Sequence, residues 1–251
     1  MTFATILGIL IIIIAVVALF LLAVPLRSRV RRVFRTIPGM VRLRRAIGLT
    51  VEDGKRLHVS LGQSSLNGNS SATGLVALST LERIAALSMI SDRPPIATSG
   101  EGSLSILSQD KLRVAYRDSN AIEQYDPDRG RLGGVTPFSY VAGTFPVIRD
   151  EQVAGNVLVG NFGPEVGLMA DAARQTGAFA LAATDSLPAQ AVLFAAAEEP
   201  LIGEEMFAVP AYLQAGIYHQ ASLIVQDILR WLVIAVILVG IILKILGISL
   251  L

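Results

Sequence analysis

The chain reads as an α/β protein: a cytoplasmic domain with a mostly parallel sheet and flanking helices, bracketed by two transmembrane helices. Three observations predict this. Charge-free apolar runs lie at both ends, short β-like runs alternate with helical ones between them, and eight arginines follow the first apolar run directly. The hydrophobic fraction of 53% and mean hydropathy of +0.60 exceed those of an ordinary soluble domain, so part of the 251 residues is expected in lipid.

Phe3 to Val24 is 22 residues without a charge. As a helix it reaches roughly 33 Å, against a hydrocarbon core of about 30 Å. Met1 and Thr2 supply no basic n-region and LAVPLR is a poor cleavage site, so the run reads as an anchor and not a cleaved leader. Trp231 to Leu251 is the second expected span. Its indole suits the membrane interface, and Lys244 can carry its ammonium out to the headgroups.

The stretch PLRSRVRRVFRTIPGMVRLRR, residues 25–45, holds Arg27, Arg29, Arg31, Arg32, Arg35, Arg42, Arg44 and Arg45. Positive charge beside a span stays on the cytoplasmic side, and Arg230 precedes the second span. The central domain is therefore expected in the cytoplasm, with both termini outside. Leu26, Val30, Val33, Phe34 and Ile37 gather on one helical face, and Met40, Leu43 and Ile47 begin a second amphipathic piece after Pro38 and Gly39. Such a segment is expected to lie in the interface plane, its arginines on anionic lipid headgroups, at about 1 kcal/mol per charge.

Nucleic acid is not the expected partner. Phe34 alone offers no stacking platform, and residues 49–229 hold 20 acidic side chains against 11 Lys and Arg, a net of −9. The pI of about 8.1 averages a basic collar with an acidic domain.

The expected organisation is a first transmembrane helix at 1–25, an arginine-rich interfacial segment at 26–48, the α/β domain at 49–226 and a second transmembrane helix at 227–251. Arg56 to Leu61 reads as a strand and Gln63 to Ser71 as a loop. Ala72 to Ile90 has apolar residues at helical spacing, ended by Pro94 and Pro95. Ile96 to Ser99 is a strand leading into a helix from Leu104 to Tyr116, and Tyr125 to Gly134 a loop. Asn156 to Gly160 and Phe179 to Ala183 read as strands, Glu165 to Arg174 and Ala189 to Glu198 as helices. Ile217, Ala221, Ile224 and Ile228 form a stripe running toward Trp231, so the last helix is expected to continue into the second span.

GNFGPEVG, residues 160–167, lies between a strand and a helix, where Gly160, Gly163 and Gly167 would let backbone N–H groups approach a phosphate. Asp185 follows where a ribose-binding acid would sit. The spacing is G-x-x-G-x-x-x-G, however, and a plain strand-to-helix connection explains it as well. TSGEGS, residues 98–103, reads as a turn and helix cap. In DPDRG the twelfth position of a calcium loop would be Pro137, which excludes that loop. Glu198, Glu199, Glu204 and Glu205 can gather a cation or a basic partner, an arginine collar included, or serve as helix-terminal carboxylates.

With no cysteine and with His58 and His219 unaccompanied by ligand-spaced neighbours, neither a thiolate nor a metal site is expected. Nucleophile-elbow and Walker-type motifs are missing, so catalysis has no visible carrier and no cofactor is implied.

RLHVSLG (56–62), TSGEGSLSILSQDKLRVAY (98–116), NVLVGNFGPEVGLMADAA (156–173) and LPAQAVLFAAAEEPLIGEEMFAVPAYLQAG (187–216) together resemble a bacterial family of two-span membrane proteins with a cytoplasmic domain of unknown function. The resemblance implies the architecture and an inner-membrane location, and carries no activity. The expectation is a non-enzymatic, self-associating scaffold oriented by its arginine collar. The alternative is a sensor or enzyme holding a nucleotide or phosphate ligand at Gly160–Gly167.

Overall fold

The computed structural model describes residues 3–26, 34–68, 70–89, 91 and 93–245. The chain divides into two compact units, Arg35–Ala215 and the two terminal segments, residues 1–34 with 216–251.

In the terminal unit, α1 (Phe3–Leu26) and α9 (Ile217–Ile245) pack together. The Phe20 ring meets Tyr218 edge-on at 6.3 Å, and small Ala23 and Ala221 are buried between the helices. Elsewhere both helices expose rows of Ile, Leu and Val. Among the described residues one helix, α9 with 29 residues, is long and apolar enough to cross a membrane; the apolar stretch within α1, Gly8–Ala23, is shorter.

The other unit begins with α2 (Pro38–Glu52), whose proline takes the first helical turn, where its missing N–H costs nothing. Then follow β1 (Arg56–Gly62), α3 (Ser71–Ser88), β2 (Ile96–Ser99), α4 (Gly102–Asp118), β3 (Gly130–Leu132), α5 (Pro137–Asp150) and β4 (Val153–Asn161). α6 (Val166–Gln175), β5 (Phe179–Ala183), α7 (Leu187–Ala196), β6 (Glu199–Leu201) and α8 (Glu205–Tyr212) complete it.

The six strands form one sheet in the order β3-β2-β1-β4-β5-β6, and every pair is parallel. This is the doubly wound order. Right-handed crossovers explain the layers. Stepping from β1 to β3 puts α3 and α4 on one face; α5 reverses direction, so α5, α6 and α7 cover the other. Leu57, Val59 and Leu61 of β1 accordingly join α2, α3, α4 and α8 in one core. Leu158, Ala180 and Ala182 join Tyr140, Ile148, Met169 and Leu193 in the second.

The segment 26–48 requires a correction. Met40, Leu43 and Ile47 are not turned to lipid: they are 2%, 0% and 5% exposed inside the first core. Burying each such side chain contributes about 1.5–3 kcal/mol, more than one headgroup contact per arginine. The domain therefore begins at Arg35.

Three elements lie outside the strands and helices read from the sequence. α5 is disguised by Pro137, Gly143 and Pro146. β3 and β6 are three-residue strands at the two margins of the sheet, where Pro200 is tolerated because no neighbour needs its N–H.

Candidate functional site

In a doubly wound sheet ligands bind beyond the carboxyl ends of the strands, where the winding reverses. Here that point lies between β1 and β4. Gly62, at φ +67°, turns the chain out of β1, and a Cβ there would lie 2.3 Å from the Asn161 carbonyl. A Cβ on Gly160 would lie 2.1 Å from the Leu61 carbonyl. The two glycines let the strands close on each other at a register shift.

Gly160 thus belongs to β4 and not to a loop. Gly167 lies in α6, where a Cβ would stand 2.4 Å from Val192 of α7, so its role is helix packing. Gly163 does occupy the loop, but its N–H donates to Glu165 Oε1 at 3.0 Å. The chain's own carboxylate takes the place an anionic ligand would need. Asp185 accepts Thr73 Oγ1 at 2.5 Å and Asn161 Nδ2 at 2.8 Å, tying the starts of α3 and α7 to the end of β4.

Glu101 caps α4 through the Leu104 N–H at 2.9 Å. Partial burial acts to raise its carboxyl, and hydrogen bonds from the Ser103 hydroxyl and the Leu104 and Ser103 N–H groups outweigh that and hold it below the ordinary value. Glu101, Glu165 and Asp185 are each engaged by the chain itself.

Within the sheet a buried polar chain crosses from β4 to α5. His58 Nδ1 lies 2.8 Å from Asn156 Oδ1 and Nε2 2.8 Å from Thr98 Oγ1. Thr98 and Ser60 contact the Tyr140 hydroxyl at 3.2 and 2.5 Å. The Asn156 oxygen can only accept, which assigns the proton to Nδ1 and leaves Nε2 to accept from Thr98. Burial drives the His58 pKa down to about 4, against the Asn156 hydrogen bond, so the ring is neutral.

Of the collar, Arg27, Arg29, Arg31 and Arg32 lie outside the described residues. Arg35 pairs with Glu205 at 2.7 Å and Arg42 with Glu199 at 2.5 Å. Arg44 donates to the Tyr212 carbonyl, and Arg45 is exposed on α2. Two of the acids expected to meet a basic partner therefore meet arginines of their own chain.

The amino ends of the strands gather groups that the sequence does not juxtapose. Arg56 opens β1, Arg93 precedes β2, Arg129 precedes β3, and Arg131 lies within it. Glu151, just past α5, pairs with both Arg56 and Arg131. Arg56 Nε, Arg129 Nε and the Tyr116 hydroxyl of α4 are buried without a hydrogen-bond partner. Burial holds the Arg56 guanidinium below its ordinary value; Glu151 pulls it up, and Arg129 and Arg93 push it further down. The readable signal is an arginine at or just ahead of the start of each of the first three strands. Among the described residues no group of three His, Asp or Glu side chains is placed to hold a metal ion.

The family model described as "Domain of unknown function (DUF6754)" matches residues 2–251, and the chain belongs to that family. No curated protein and no solved structure matches it.

Proposed function

We propose that this family member is a two-span protein of the bacterial inner membrane, a non-enzymatic scaffold that self-associates through its cytoplasmic domain. Both termini lie outside, oriented by Arg27, Arg29, Arg31 and Arg32, which engage anionic headgroups; Arg35, Arg42 and Arg44 are engaged by partners within the domain. One observation carries the reading. At the carboxyl end of the sheet, where a doubly wound domain ordinarily works, the acids serve the chain's own backbone and hydroxyls, while large apolar side chains stand exposed on the helices leaving that end. Leu75, Ile106, Phe138, Leu168 and Leu187 all lie within the first two turns of α3, α4, α5, α6 and α7, and Phe138 and Leu187 are 72% and 76% exposed. Exposed apolar groups concentrated on one side suit a protein surface better than a polar substrate.

The occupant is a second copy. A shared membrane confines every copy to one plane in one orientation, which raises its effective concentration without new contacts. Native mass spectrometry of the detergent-extracted chain should give a discrete multimer that falls to monomer when Phe138 and Leu187 are both replaced by Asp. A monomeric wild-type chain would overturn the scaffold. Topology has its own test, since the chain lacks cysteine and single introduced cysteines report accessibility cleanly. Replacing Arg27, Arg29, Arg31 and Arg32 with Gln should perturb insertion and lipid retention.

The β1/β4 switch point favours a second reading, a sensor or enzyme holding a nucleotide beside Gly163 and Asp185. A stoichiometric nucleotide-sized mass in the same spectrum, lost when Gly163 is replaced by Trp, would establish it.

A further inference from the structure

The arginines at the amino end of β1, β2 and β3 stand apart from the other described arginines of the domain. Arginines elsewhere meet a carboxylate, a carbonyl or open solvent. Here Glu151 serves two guanidinium groups, Arg56 and Arg131. Arg93 and Arg129 form no ion pair with a described residue. Three donors, Arg56 Nε–H, Arg129 Nε–H and the Tyr116 O–H, are cut off from water with nothing to receive them. Buried donors in folded proteins are almost always paired, and three left over among groups that act on one another electrostatically call for an acceptor.

The donors arrive from different elements: the start of β1, the 3-10 turn at Pro127–Arg129 and the last turn of α4, which packs against that turn. Tyr116 is held by the ring of Tyr125, edge-on at 5.5 Å, and Tyr125 donates to the Gln109 carbonyl at 2.9 Å. The hydroxyl is therefore positioned by packing. Both Arg129 and Arg56 act electrostatically on it, with Asp126 opposing them. The margin of the cluster meets solvent, the Arg131 side chain being 39% exposed and that of Arg56 17%.

An acceptor that serves donors from three elements and offsets several positive charges needs more than one negative charge and several oxygens. A carboxylate offers two coplanar oxygens and one charge. A phosphate group offers three or four oxygens in a tetrahedron and up to two charges, and arginine forks match it.

We propose that the amino end of β1, β2 and β3 binds a phosphate group between Arg56, Arg93 and Arg129, hydrogen-bonded by the Tyr116 hydroxyl. The site lies at the opposite end of the sheet from the switch point and stands independently of the scaffold reading. Its phosphate belongs either to a soluble molecule or to a lipid headgroup.

The test is equilibrium dialysis of radiolabelled inorganic phosphate against the full-length chain in nanodiscs of phosphatidylcholine, at constant ionic strength set with chloride. One phosphate should bind per chain, saturably. Arg129→Gln and Arg93→Gln should each weaken it about tenfold, the scale of a charge-assisted hydrogen bond, and Tyr116→Phe about threefold. Arg93 lies in a loop, so its variant keeps the test open if Arg129→Gln fails to fold. Nanodiscs containing phosphatidic acid separate the sources: displacement of the label assigns the site to a headgroup, and undiminished binding assigns it to a soluble phosphate. Absence of saturable binding at millimolar phosphate, or equal binding by wild type and both arginine variants, overturns the proposal.

Discussion

The two ends of the sheet are opposite solutions to the same problem of polar groups at strand termini. At the carboxyl end Glu101, Glu165 and Asp185 satisfy nearby N–H groups and hydroxyls, and the glycines bring strands and helices into contact. At the amino end Arg56 and Arg131 share Glu151, Arg93 and Arg129 form no ion pair with a described residue, and three donors remain unpaired. A glycine-rich stretch is thus no guide to where a ligand goes, since close packing requires glycine as strictly as a phosphate does. An unbalanced charge cluster is the better guide, because burial makes imbalance costly.

The largest effect should come from the carboxyl end. Gly160→Val sets a Cβ and two methyls against the Leu61 carbonyl, which cannot swing away, and should cost 3 kcal/mol or more, on the order of a severe core clash. Gly163→Ala meets only the Glu165 carboxylate, which can, and should cost about 1 kcal/mol, the worth of one hydrogen bond. Equal effects in chemical denaturation would break the assignment of Gly160 to packing and Gly163 to a self-capped loop.

His58 supplies the next effect, with a defined sign. Its folded pKa of about 4 lies below the unfolded 6.5, so the unfolded chain binds more protons between those values and stability falls as pH falls through that window. The full loss is on the order of 3 kcal/mol by pH 4, and a stability–pH profile should be flatter in His58→Gln. Glu151 and Arg131 act on the ring from farther away in opposite directions and leave the sign unchanged.

Glu151→Gln sharpens the contrast directly. It strands Arg56 and Arg131, whose partner is 21% exposed, and should destabilise the domain by about 1–2 kcal/mol. Added phosphate should restore part of that loss in thermal unfolding, whereas at the carboxyl end no phosphate dependence is expected. The smallest effect belongs to Lys111→Ala. Its pair with Glu82, at 2.6 Å, is exposed on both sides, and a change within about 0.5 kcal/mol sets the floor for the comparison.

The interior of the domain was legible in the sequence and its margins were not. β2 and β5 lie where the β-branched and small apolar runs put them, and β1 and β4 differ only in length, because buried parallel strands read as continuous apolar segments. β3 and β6 are both marginal strands, too short to show a pattern, one carrying Arg131 and the other Pro200. The stripe Met40–Leu43–Ile47 was visible as amphipathic, but periodicity cannot say whether lipid or a protein core covers an apolar face. The arginines at 56, 93, 129 and 131 were hidden for a topological reason: only the parallel strand order brings them together.

The clasp of α2 on β6 and α8 also sets a timetable for biosynthesis. Arg35 and its partner Glu205 are separated by 170 positions, and Leu43 shares a core with Met206 and Leu213. At translation rates of about 5–20 residues per second the ribosome needs roughly 10 to 30 s to deliver the second partner after the first. During that interval α2 can pack on β1, α3 and β4 but lacks its contacts with β6 and α8. Completion of the domain therefore waits for nearly the last residue before α9.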